Sequence, residues 1–270
     1  MNKIRVLYIT QEMEPYTDFS DIASYMKSLV LNTNKNSFEL RILMPKYGII
    51  NERRHKLHEV VRLSGMNIII DDDDFPLIIK VASLPDSRVQ VYFLDNEEFF
   101  KKDTTFHDQE GNPLSDNDSR MIFFCKGAME TVKKFGWPPD IIHVTGWMSS
   151  MVPLFLKKAY NNDPVYERAK VIYTPVRGGF IGELSDQFRT KVLINDMEEG
   201  DLEDYLFDDT VQLDKGAINI SDGILLHSTE GMDEILDYAE KTNKPIYIHN
   251  QDDDKLTGEI EFYKSILEEA

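Results

Sequence analysis

The chain has 270 residues and a formal charge of −18, from 48 Asp and Glu against 30 Lys and Arg. That surplus repels phosphate backbones and anionic headgroups, which argues against nucleic-acid and membrane partners, and no apolar run approaches the ~20 residues that span a bilayer. One cysteine allows no intrachain disulfide and no thiolate cluster, the amino terminus lacks a signal-peptide pattern, and the expectation is a cytoplasmic protein with one domain over residues 1–270.

Short β-branched runs separated by helical patterns set the rhythm of the chain. Residues 4–9 read as a buried strand, and Ile22, Tyr25, Met26, Leu29 and Val30 then form one apolar helical face before a second strand at 40–44. Residues 57–70 and 77–82 alternate like strands around Asp71, Asp72, Asp73 and Asp74, which predicts an inserted β-hairpin with a polar tip. The four Asp lack the loop glycine and distal Glu of a calcium hand. After a strand at 89–94, Ile122, Phe123, Met129, Val132 and Phe135 give a second helical face closed by Gly136, and Cys125 within it reads as a buried, inert thiol. Strands follow at 141–144 and 171–173, and the acidic stretch 186–214 reads as a surface excursion or mobile loop. Strands at 224–226 and 246–248 alternate with helices at 232–238 and 260–267. Strand and helix in repetition predict an α/β, Rossmann-like, doubly wound and mostly parallel sheet.

Four segments carry a resemblance. Glu12-Met13-Glu14-Pro15-Tyr16 follows the first strand, Arg41-Ile42-Leu43-Met44-Pro45-Lys46-Tyr47-Gly48 forms the second, and Val91-Tyr92-Phe93-Leu94-Asp95-Asn96-Glu97-Glu98-Phe99-Phe100 forms a later one. Asp116-Asn117-Asp118-Ser119-Arg120-Met121 then leads into Gly136-Trp137-Pro138-Pro139-Asp140 and the segment from Trp147 to Val152-Pro153. In this order they resemble the amino-terminal half of bacterial glycogen and starch synthases, retaining glucosyltransferases built from two facing Rossmann-like domains. The likeness is strong over about residues 1–175 and weaker beyond, where Gly216-Ala217-Ile218-Asn219-Ile220-Ser221-Asp222 resembles "K-x-G-I-x-Y-A-D". It implies one half of such a GT-B glycosyltransferase, standing alone and degenerate, with the carboxy-terminal domain absent.

Three polar motifs of that family are altered. Where it carries "K-T-G-G-L", this chain has Thr17-Asp18-Phe19-Ser20-Asp21, and two carboxylates there repel a diphosphate. The family's "H-x-H-D-W-H" becomes His143-Val144-Thr145-Gly146-Trp147-Met148, and its "T-I-H-N" becomes Tyr173-Thr174-Pro175-Val176.

Asp116, Asn117 and Arg120 match the family's "D-N-x-x-R" at a helix start, where they suit a sugar hydroxyl, while helix capping is the bland alternative. His143 is open to a core role or to that of a base, and Trp147 to packing or to a sugar platform. His55 and His58 sit among Arg53, Arg54 and Lys56, which oppose a metal, and Arg177-Gly178-Gly179-Phe180-Ile181-Gly182 is not a G-x-G-x-x-G loop. No catalytic residue, cofactor or metal site is assigned. The resemblance implies glucosyl transfer from ADP-glucose or UDP-glucose to α-1,4-glucan. The expectation for this chain is sugar, sugar-nucleotide or α-glucan binding without transfer by the isolated chain. The alternative is a pseudoenzyme that acts as a scaffold or regulatory subunit, with a protein partner across the face that the missing domain would cover.

Overall fold

The computed structural model describes residues 3–102 and 104–268. In chain order the elements are β1 (Arg5–Thr10), α1 (Ile22–Lys35), β2 (Glu39–Pro45), α2 (Glu52–His55), β3 (His58–Glu59), β4 (Met66–Ile70), β5 (Asp73–Ser83), β6 (Gln90–Asp95), α3 (Glu97–Phe100), α4 (Asn117–Phe135) and β7 (Ile141–Thr145). They continue with α5 (Val152–Lys158), β8 (Lys170–Thr174), α6 (Phe188–Lys191), β9 (Leu206–Phe207), β10 (Thr210–Val211), α7 (Leu213–Ile220), β11 (Gly223–Leu226), α8 (Asp233–Lys241), β12 (Ile246–Ile248) and α9 (Thr257–Glu268).

Strands β12-β11-β8-β7-β1-β2-β6 lie side by side and parallel, and an antiparallel edge of β5 and β3 completes the row, with β4 paired to β5. The inner strands bury both faces, since every residue of β7 is buried and only Arg5 of β1 is partly exposed. Their sequences are therefore continuous apolar runs and do not alternate. In α1 the buried residues Ile22, Tyr25, Met26, Leu29, Val30 and Thr33 recur at three- and four-residue spacing, so one stripe meets the sheet. At the end of α4, Gly136 takes φ 58°, a left-handed C-cap that suits glycine.

From β1 the chain steps outward through β2 to β6, and α4 then carries it back to the other side of β1 as β7. The loops leaving β1 and β7 lie at this reversal of strand order, the place beyond the carboxyl ends of the strands where sheets of this kind form a ligand crevice.

Two segments differ from the sequence reading. The hairpin turns at Asp71 and Asp72, while Asp73 and Asp74 belong to β5, paired with Ile70 and Ile69. Residues 60–65 form no strand, because a turn at Val60 takes the Leu63 and Ser64 amides. The stretch 186–214 is also no surface excursion: Phe188, Val192, Leu202 and Tyr205 are buried in the core. The Tyr205 hydroxyl donates to the Ser150 carbonyl at 2.7 Å, and its ring lies where a β-carbon on Gly216 would be, 2.2 Å away. The acidic residues mask an irregular apolar spacing that tertiary packing uses.

Candidate functional site at the strand-order reversal

The loop after β1 folds around a buried carboxylate. Glu12 Oε2 accepts from the backbone amides of Phe19 (2.8 Å) and Ser20 (2.9 Å), and Oε1 accepts from Ser20 Oγ at 2.8 Å and Gln11 Nε2 at 3.4 Å. Burial raises the Glu12 pKa, and these hydrogen bonds oppose the rise. The amides just ahead of α1, which would otherwise be open to an anion, are thus held by an internal one. Asp18 and Asp21 are exposed on the same loop, and Thr17 is buried with its hydroxyl accepting from the Met13 amide at 3.1 Å.

On the facing lip, β7 ends at Thr145 and Gly146 takes φ 79° and ψ 169°, a region that essentially only glycine occupies. A β-carbon at 146 would lie 2.2 Å from Gln11 Oε1. With Gln11 in this place, the position is closed to the aspartate of the resembled motif.

Trp147 follows and is buried. Its ring meets Phe106 at 5.1 Å and Phe180 at 4.9 Å, both edge-on, and Phe106 in turn meets Phe19 (5.3 Å) and Tyr47 (5.5 Å). Three phenylalanines from separate loops, Phe19, Phe106 and Phe180, therefore gather in one aromatic cluster with Trp147 and Tyr47. Around them Gln11 Oε1, Tyr47 Oη and Trp147 Nε1 are buried without a hydrogen-bond partner among the described residues. Each such atom costs on the order of 1–3 kcal/mol unless water or a ligand meets it.

Asp116, Asn117 and Arg120 come together at the start of α4, beside Phe106. Asp116 stands at the N-cap position but makes no capping bond; its Oδ2 pairs with Lys102 Nζ at 2.5 Å, and Oδ1 is buried without a partner among the described residues. Asn117 Nδ2 donates to the Phe106 and Ile181 carbonyls, each at 3.0 Å, so one side chain ties the loops bearing Phe106 and Phe180. Arg120 is fully buried, donates to the Phe99 carbonyl (2.8 Å from Nε) and to the Thr105 carbonyl, and lies over the Phe100 ring.

His143 is set apart from this group, buried within β7. Thr33 Oγ1 donates to the Leu29 carbonyl at 2.7 Å, so Tyr8 Oη donates to Thr33 at 2.8 Å and Tyr263 Oη donates to Tyr8 at 3.2 Å. With both phenolic protons spent, His143 Nδ1 donates to Tyr263 (2.6 Å) and Nε2 accepts from Thr174 (2.8 Å). Burial holds the imidazole down at about 3, hence neutral.

Sequence reasoning noted Glu12 and Tyr47 only as parts of the match and passed over Gln11, Phe106 and the meeting of Phe19 and Phe180 with it. The available signal was Gly146, whose lost side chain required a substitute from elsewhere. His55 ends α2 and His58 opens β3, so the two do not share a helix, and His55 packs on Tyr16 at 5.0 Å. Among the described residues no cluster of three or more His, Cys, Asp or Glu is arranged to hold a metal ion. Cys125 is buried, donates to the Met148 carbonyl at 3.2 Å, and has its thiol pKa pushed up by burial. No helix among the described residues is long and apolar enough to cross a membrane.

A parallel sheet that reverses its order beside β1, flanked by helices, with polar groups gathered at the reversal, defines a Rossmann-like α/β protein. The chain belongs to the family of the starch synthase catalytic domain, whose model matches residues 5–245. It is 40% identical over 171 residues to the glycogen synthase of Chlorobium phaeobacteroides and 42% identical over 171 residues to that of Chlorobaculum tepidum. Each match covers 63% of this chain and 35% of the relative, so the chain aligns with about a third of those proteins. The catalytic domain of starch synthase IV from Arabidopsis thaliana, bound to ADP and acarbose, shares the fold with a TM-score of 0.74 at 18% identity, over 92% of this chain and 52% of that one.

Proposed function

We propose that this chain binds saccharide, an α-glucan or its fragments, at the crevice between β1 and β7, and does not by itself transfer glucose from a sugar nucleotide. One observation carries the reading: where the family has K-T-G-G-L, the exposed Asp18 and Asp21 flank the Phe19 and Ser20 amides, which the Glu12 carboxylate already takes. A diphosphate brought to that loop would have to displace one buried anion while facing Asp18 and Asp21, and electrostatic stabilisation of a departing nucleoside diphosphate has no source there. The Arabidopsis starch synthase IV domain is bound to both ADP and acarbose; for this chain we carry over the saccharide and leave out the nucleotide. The unpaired polar atoms of Gln11, Tyr47 and Trp147 suit hydroxyl groups, which donate and accept. Asp116, Asn117, Arg120 and Trp147 border this crevice, and His143 supports it from the core.

The test is glucose incorporation from ADP-glucose and from UDP-glucose into glycogen by the purified chain. No incorporation, together with retention of the chain on glycogen, is expected. Incorporation at a rate proportional to protein concentration would refute the reading.

A second reading, a scaffold or regulatory subunit that docks a protein partner at the carboxyl end of the sheet, is favoured by the closed aromatic lid over Trp147. It predicts silence toward glycogen as well as toward both sugar nucleotides.

A further inference from the structure

A cleft of about 750 Å³, which shares Phe180 with the aromatic group around Trp147, lies between the 180–189 segment, the β9–β10 hairpin and the start of α7. Its volume is that of a small-molecule site. Phe180, Leu184, Val211 and Leu213 supply apolar wall. The glycine-rich loop after β8, whose Phe180 also packs on Trp147, shapes one side: Gly178, Gly179 and Gly182 take φ 93°, 56° and 107°. Gly179 lets the backbone pass close to Asp214, whose Oδ2 would be 3.3 Å from a β-carbon there.

Charge decides what such a cleft takes. Both of its cations are already engaged, Arg189 with Asp209 at 2.9 Å and Lys215 with Glu234 at 2.7 Å. Lys215 is further held between the Phe207 and Tyr238 rings, at 5.7 and 5.6 Å. The acids Glu183, Asp186 and Asp214 also line the cleft and form no ion pair among the described residues. Asp214 is the notable one: Oδ1 accepts from Tyr173 Oη at 2.5 Å, and Oδ2 has no hydrogen bond to the described residues. Its surroundings raise its pKa through burial, opposed only by the tyrosine, because no basic side chain attends it. A partly buried carboxylate without a counter-ion, above apolar walls and below a rim of two more acids, is complementary to a cation on an apolar stem.

We propose that the Asp214 cleft binds an organic cation, an ammonium or guanidinium group carried on a methylene chain, with Asp214 Oδ2 as its principal acceptor. This site stands independently of saccharide binding at the crevice. The ligand chemistry is shared by free polyamines and by lysine or arginine side chains of a peptide, and the probes separate the two.

The experiment is titration calorimetry of the full chain at low ionic strength with spermidine, with the peptide acetyl-Gly-Arg-Gly-amide, and with maltotriose as a neutral control. Saturable binding of spermidine or the peptide is expected, weakened at least about tenfold by Asp214→Asn. Preference for spermidine assigns a free amine, and preference for the peptide assigns a side chain. The double variant Glu183→Gln, Asp186→Asn changes exposed rim groups only and is expected to weaken binding about two- to fivefold with an unchanged thermal midpoint. If neither cation binds, if Asp214→Asn binds them as tightly as the native chain, or if maltotriose displaces them, the proposal is overturned.

Discussion

Gln11 and Gly146 fit together as a pair across the lips of the crevice: Gln11 Oε1 occupies the space that any side chain at 146 would enter, 2.2 Å from its β-carbon. The loop after β1 thus places the Gln11 amide group against position 146, where the resembled motif carries a carboxylate. Gln11 and the bare backbone at Gly146 are physically coupled, and φ 79° with ψ 169° restrains position 146 further.

Gly146→Ala is expected to destabilise the chain by about 2–4 kcal/mol, from backbone strain plus displacement of Gln11. In a Gln11→Gly background the same substitution should cost about 1–3 kcal/mol, because only the backbone component remains. Urea denaturation of the four proteins measures the coupling. Strict additivity would show that the pair does not interact.

Asn117 spans the two loops that bring Phe106 and Phe180 onto Trp147. Asn117→Ala removes both bonds and leaves the Ile181 carbonyl unpaired, while the Phe106 carbonyl keeps the Leu114 amide at 2.9 Å, so it should cost about 1–3 kcal/mol and loosen the lid. In a Trp137→Phe background, where Trp147 is the remaining tryptophan of the two, acrylamide quenching should rise several-fold. Unchanged quenching would mean that the phenylalanines stay shut without the clamp.

His143 makes stability depend on pH in a defined direction. Its folded pKa of about 3 lies below the ordinary value of 6.5, so below pH 6.5 the unfolded chain binds a proton that the native chain refuses. The associated stability is fully present above pH 6.5 and is lost as pH falls toward 3, by up to about 1.4 kcal/mol per unit. His227, also held down chiefly by burial, acts in the same sense. The native chain minus His143→Gln should therefore show a stability difference that shrinks on acidification between pH 6.5 and 4, by urea midpoints. A difference independent of pH would contradict the neutral, buried imidazole.

Glu12→Gln keeps the shape of the loop but turns an amide NH2 or a weaker acceptor toward donors that require oxygen. A loss of about 1–3 kcal/mol is expected. Hydrogen exchange at the Phe19 and Ser20 amides should accelerate at the same time. Protection equal to that of the native chain would show that the carboxylate does not hold the loop.

The sheet was legible in the sequence because its inner strands are buried on both faces, which writes unbroken apolar runs such as Val6-Leu7-Tyr8-Ile9 and Ile141-Ile142. Helices α1 and α4 were legible from three- and four-residue spacing and from Gly136. The family resemblance was legible from ordered motifs, and the match over residues 5–245 shows it. The lid was not, since Phe19, Phe106 and Phe180 meet only through tertiary packing and each alone is an ordinary phenylalanine. Capping by Asp116 was a local expectation that lost to Lys102, an ion pair between residues 14 apart in sequence. The fold of 186–214 was hidden because acidic residues dominate the composition while a few scattered apolar ones, Phe188, Leu202 and Tyr205 among them, do the packing.

The most direct test of the central claim is titration calorimetry of the native chain with maltoheptaose and with ADP-glucose in parallel, each repeated on Phe106→Ala. The account predicts saturable heat with maltoheptaose, enhanced when the lid is removed, and none with ADP-glucose in either protein. Binding of ADP-glucose that strengthens in Glu12→Gln, with no response to maltoheptaose, would contradict it.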